Sequence, residues 1–112
     1  HLMPMKRGIL ATIYIDLLKD VTEDDLYAIY QKYYGDEKFV RIRRGMCETR
    51  FVTGTNYCDI SVRVDRRTNR AIITSCIDNM MKGAAGQALQ NMNIICGLEE
   101  SAGLDRLSIA AP

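Results

Sequence analysis

His1 is the only histidine in the chain, and it stands six residues before an Arg-Gly pair in the opening stretch HLMPMKRG. An imidazole that is neutral near pH 7 can take up or release a proton. The planar guanidinium of Arg7 can hold a carboxylate or phosphate through two parallel hydrogen bonds. Taken alone, His1 reads equally as a tag remnant or a solvated end, and Arg7 equally as half of a surface ion pair. With Pro4 and Lys6, however, both precede a strongly apolar segment, and polar groups at a strand entrance often line a cleft.

A second constellation lies in DNMMKGAAGQALQNMNIICG (78–97). Asp78 and Asn79 open a helical pattern, where backbone N–H groups and the macrodipole favour anionic or carbonyl groups. Asp78 also suits a simple N-cap. Gly83 and Gly86 fall inside the pattern, each costing about 1 kcal/mol relative to alanine. Such glycines fit either close packing within one domain or the approach of another domain or a cofactor. The expected arrangement buries Met81, Ala84, Ala85, Ala88, Met92 and Ile95 on the sheet. It leaves the Gly83, Gly86, Gln87 and Gln90 side for a partner.

The four cysteines, Cys47, Cys58, Cys76 and Cys96, contain no C-x-x-C pair. Zinc and thioredoxin-like chemistry are therefore poor readings, and no metal site is expected. All four are expected to be reduced thiols of a cytoplasmic protein, with Cys76 and Cys96 in apolar surroundings. The net charge of +1 gives no electrostatic case for nucleic acid or an anionic membrane. No apolar stretch approaches the roughly 20 residues that span a bilayer.

The elements that must position these residues follow from hydrophobic periodicity. Residues 8–18 alternate, with Ile9, Ala11, Ile13, Ile15 and Leu17 on one apolar strand face. Residues 21–35 predict an amphipathic helix whose buried stripe is Leu26, Ile29, Tyr30 and Tyr33. Thr22 and Asp25 form its capping box, and Gly35 is its left-handed stop. A strand is expected at 39–44, another around 49–53, a turn at Gly54 and a hairpin over 58–65 and 70–77 with the polar turn 66–69. The 78–97 helix follows, and the tail (98–112) leaves room for a short last strand. The fold class is α+β: a mixed, largely antiparallel sheet with two main helices packed on it, in a single domain over 1–112.

Three stretches, HLMPMKRGILATIYIDL, GTNYCDI and DNMMKGAAGQALQNMN, occur in the order found in the C-terminal catalytic domain of N-acetyl-gamma-glutamyl-phosphate reductases. The sequence resembles that family over nearly its whole length. The family lies within the wider group of aspartate-semialdehyde and glyceraldehyde-3-phosphate dehydrogenases. The resemblance implies NADPH-dependent reduction of N-acetyl-glutamyl 5-phosphate to the semialdehyde in arginine biosynthesis. A cysteine thiolate attacks the acyl phosphate, a histidine serves as its acid/base partner, and the enzyme is a homo-oligomer. It further implies that His1 is the catalytic histidine, that Arg7 binds the substrate's anionic group, and that Asn79 faces the nicotinamide. Gly83 and Gly86 would let the helix lie against the cofactor and its domain.

None of the four cysteines has the context of the family's nucleophile, and no G-x-G-x-x-G loop is present. The dinucleotide-binding domain is thus expected outside this sequence. The 112 residues alone are expected to be inactive and to bind no NADP(H). The alternatives are a related lysine-pathway acyl-phosphate reductase and a non-catalytic binding or oligomerisation domain of the same fold.

Overall fold

A computed structural model describes residues 2–105. It contains β1 (Ile9–Asp16), α1 (Glu23–Tyr34), β2 (Val40–Arg43), a 3-10 turn (Thr49–Phe51), β3 (Cys58–Asp65) and β4 (Arg70–Ile77). A π-helical turn (Met81–Ala85) then runs directly into α2 (Gly86–Ile95). The strands form one sheet in the order β1-β4-β3-β2. β4 is antiparallel to both β1 and β3, while β2 runs parallel to β3. This is the α+β class that the order of elements implies.

Local sequence accounts for most boundaries. Thr22 and Asp25 form a complete capping box at the start of α1: the Asp25 N–H donates to Thr22 Oγ1 (3.1 Å), and the Thr22 N–H donates to Asp25 Oδ2 (2.8 Å). The β3–β4 hairpin pairs Asp65 with Arg70 across the 66–69 turn, where Asn69 takes a left-handed φ of 53°. Gly35, by contrast, keeps a right-handed φ of −62° and donates its N–H to Gln31 O, so α1 does not end on the expected left-handed residue. The strand expected around 49–53 is instead the 3-10 turn, stabilised by Thr53 Oγ1 donating to Thr49 O at 3.0 Å. Residues 98–105 hold no strand, and the rest of the tail lies outside the described residues.

The core is small and mixed. Cys47, Val52 and Cys76 form one buried cluster with Tyr57 packed against it, while Phe39, Val62, Ala71, Ile73 and Leu104 are buried elsewhere. An equal share of the interior is polar: Thr55, Asn56, Asp59, Ser61, Asp78, Gln90, Asn93 and Ser101. The four thiols are free, as expected, but Cys96 is exposed rather than in apolar surroundings.

Two expectations about faces fail. Neither face of β1 is buried: Ile9, Ile13 and Ile15 on one side and Leu10 and Tyr14 on the other are all exposed. The sheet stops at β1, and the described helices leave both its faces open. In α1 only Leu26 and Tyr30 of the expected stripe are half-buried, whereas Ile29 and Tyr33 stay exposed. α1 packs mainly along β2 and β3, which is too narrow a contact to cover its whole apolar side.

Candidate functional site

The antiparallel register sets the site. Ile9 pairs with Ile77, so the residues just before β1 must lie beside those just after β4. Gly8 makes the entry: its φ of +103° suits only glycine, and a Cβ there would lie 2.7 Å from Thr49 Cβ. Its N–H donates to Asn79 Oδ1 at 2.8 Å, while Asn79 Nδ2 makes a longer bond of 3.4 Å to Lys6 O.

Asp78 is wholly buried at this junction. Its Oδ1 accepts from Arg7 Nε (3.2 Å), Met80 N (2.8 Å) and Met81 N (3.1 Å). Its Oδ2 accepts from Arg7 Nη2 and from Gly54 N (2.6 Å). Burial alone would push the carboxyl pKa up, but the Arg7 guanidinium and the three backbone N–H groups hold it below the ordinary aspartate value. The capping role foreseen for Asp78 is thus present. To it are added an ion pair with Arg7 and a tie to the Gly54 turn.

Arg7 and Asn79, singled out in the sequence for substrate and cofactor, are therefore brought together at one end of the sheet. Arg7 keeps part of its side chain in solvent, 38% exposed, beside the fully buried Asp78. His1 lies outside the described residues.

The 78–97 segment departs from expectation in a way that bears on the site. Its buried residues are Gly86, Gln90 and Asn93, and its exposed ones include Ala84, Ala85, Ala88, Met92 and Ile95. From Gly86 onward the faces are reversed, while Gly83 is exposed as expected. The buried side is held by hydrogen bonds. Asn56 Nδ2 donates to Gln90 Oε1 (2.9 Å), Gln90 Nε2 donates to Glu100 Oε1 (2.5 Å), and Asn93 Nδ2 donates to the carbonyls of Glu100 and Ala102 (3.0 Å each). Lys82 Nζ joins this network through Gln90 Oε1 (2.7 Å), and burial holds its pKa below the ordinary lysine value.

Gly86 is buried under Asn56, and a Cβ there would press into Asn56 Oδ1 and come within 2.8 Å of the Met81 carbonyl. Its lack of a side chain is accounted for inside this domain, so it is not open to a cofactor here. Gly83 is exposed, with Ile77 and Ile9 as its nearest side-chain neighbours. Among the described residues no group of three or more His, Cys, Asp or Glu side chains could hold a metal ion, and no helix is long and apolar enough to cross a membrane.

The chain and its fold have counterparts among known proteins. The family described as semialdehyde dehydrogenase, dimerisation domain, matches residues 1–79, and the chain belongs to that family. Its relatives include proteins named N-acetyl-gamma-glutamyl-phosphate reductase. That of Pelobacter propionicus is 54% identical over 97% of this chain and 32% of its own length. That of Caldicellulosiruptor bescii is 55% identical over 93% and 31%, and that of Geobacter sulfurreducens is 53% identical over 97% and 32%. The chain thus spans about a third of the length of these relatives. In fold it is similar to aspartate semialdehyde dehydrogenase II from Vibrio cholerae, with a TM-score of 0.63 at 17% identity over 81% of this chain and 28% of the other.

Proposed function

We propose that the chain is the catalytic and subunit-pairing part of a longer, cytoplasmic, NADPH-dependent N-acetyl-gamma-glutamyl-phosphate reductase of arginine biosynthesis. The remainder would supply the dinucleotide-binding domain and the nucleophilic cysteine. What supports this reading is the clustering of Arg7, Gly8, Asp78 and Asn79 at one end of the sheet. It is joined by identities above 50% to reductases of that name.

In this reading the anionic end of the acyl phosphate meets Arg7, whose planar fork suits such a group. His1 takes the thiol proton of the incoming cysteine and later returns a proton to the departing sulfur. NADP(H), when bound, supplies the hydride. Asn79 fits such a cofactor, because its carboxamide is only half-buried and, among the described residues, its Nδ2 makes only the one long bond to Lys6 O. Gly83 fits as bare, exposed backbone. Gly86 does not fit, being covered by Asn56. The open strand β1 is assigned to contacts with the rest of the protein and with a second subunit.

The test is turnover of N-acetyl-glutamate semialdehyde with NADP and phosphate. The full-length protein is expected to be active and the 112-residue chain inactive. Cysteine-dependent turnover by the 112-residue chain would overturn the assignment of the nucleophile to the remainder.

A further inference from the structure

We infer that Asp78 is a positioning residue for the substrate's anionic group: it holds one edge of the Arg7 guanidinium and so aims the other edge at the acyl phosphate. This rests on the reading of Arg7 given above and adds to it a residue that the reading does not require.

An N-cap needs only one side-chain oxygen. In Asp78 that work falls to Oδ1, which meets the N–H groups of Met80 and Met81. Serine, threonine or asparagine would serve it equally well. The second oxygen is turned away from the helix, toward Arg7 Nη2 and the Gly54 N–H. Three stretches distant in sequence meet on this one buried carboxylate.

Arginine carries five N–H donors in a rigid fork. Asp78 engages Nε and Nη2, the side-on edge of that fork. Among the described residues Nη1 has no partner, so the end-on edge still has donors to offer a second anion. Bound on one edge to a buried carboxylate, the long side chain gives up its rotational freedom before substrate arrives. A buried carboxylate without its cation would be strongly unfavourable, which keeps the pair together between turnovers.

The experiment uses the full-length enzyme in the oxidative direction, with inorganic phosphate as the anion. Asp78→Asn retains the helix cap but removes the charge that holds Arg7. The expected result is a KM for inorganic phosphate raised roughly tenfold or more, the worth of one charge-assisted hydrogen bond. The KM for NADP should rise clearly less than that for phosphate, since the nucleotide is assigned to Asn79 and Gly83 and not to the Arg7 fork. Arg7→Lys should act the same way, and the double variant should be no worse than the poorer single one, because the two residues act as a unit.

A wild-type phosphate KM in Asp78→Asn overturns the inference, as does a uniform fall in all parameters together with Tm. If Asp78→Asn does not fold, Asp78→Glu replaces it: the charge remains, but the fork is displaced by one methylene, and an unchanged phosphate KM again overturns the inference. If Arg7→Lys also leaves the phosphate KM unchanged, the reading of Arg7 itself falls. If Arg7→Lys acts as expected and Asp78→Asn does not, only the role of Asp78 falls.

Discussion

Asn56 sits directly over Gly86, so close that a single methyl group on that glycine would strike its amide oxygen. Both residues are buried, and Asn56 also donates to Gln90 one helical turn on. Replacing Gly86 by alanine is therefore expected to destabilise the chain by about 1–3 kcal/mol, because overpacking outweighs the gain in helix propensity of about 1 kcal/mol. Gly83→Ala meets only Asp78 O at 3.3 Å and side chains beyond it, and should lie within about 1 kcal/mol of the parent chain. Urea unfolding of the two variants side by side decides the matter, and equal midpoints would show that the helix shifts to accommodate the methyl group.

Replacing His1 by asparagine in the full-length enzyme should lower kcat by about 10²–10⁴-fold, the usual worth of a general acid–base group. The melting temperature should barely move. Activity within a factor of about two of the parent would return His1 to the status of an ordinary solvated residue.

Alkaline pH should weaken the fold through Cys76. Burial, aided by the neighbouring Cys47, pushes its thiol up to about 12. In the unfolded chain the same thiol ionises near about 8.5. The unfolded state therefore releases this proton first, and stability is expected to hold below about pH 8.5 and to decline from there toward pH 12. Cys76→Ala should cost about 1–2 kcal/mol at neutral pH yet show a shallower alkaline decline. Thermal unfolding across pH 7–11 measures the slopes, and parallel curves would show that other groups govern the decline.

β1 offers Leu10 and Tyr14, 55% and 66% exposed, on one face, and among the described residues no strand pairs with its outer edge. Monomeric proteins rarely leave so long an apolar edge strand uncovered. The chain is therefore expected to self-associate at micromolar concentration, and the double change Leu10→Lys with Tyr14→Glu should shift it toward monomer with its circular dichroism intact. Sedimentation velocity reads this directly. An unchanged distribution would place the contact on another surface.

Much of this architecture was legible from local chemistry. The capping box at Thr22 and Asp25, both arms of the hairpin and the position of β2 need only a few neighbouring residues to specify them. What resisted reading was set by distant partners. The polar side of 78–97 suits a face left for a partner, because polar side chains mostly stay out of the core of their own domain. Gln90 and Asn93 are instead buried, since Asn56, Glu100 and Ala102 satisfy their amides. The apolar face of β1 reads as core from its alternation alone, yet no described element covers it. The Arg7–Asp78 pair did leave a signal. Each residue stands just outside the end of a strand, and pairing those strands end to end would have brought the two together.

The π-helical turn at Met81–Ala85 has a consequence for rotation. Such a turn holds one residue more than an α-helical turn, and each residue of an α-helix advances the next by about 100°. The extra residue thus acts as a phase setting between the junction at Asp78 and the rest of the helix. With Asp78 fixed by the ends of two strands, the wide turn delivers Gly86, Gln90 and Asn93 inward and turns the alanine and methionine side outward. Were the same residues wound as an ordinary α-turn, with none removed, everything after it would swing by about a quarter of a circle. The amides would then face solvent and the methyl groups Asn56. Which side of this helix stays open to a partner is decided by the length of one turn.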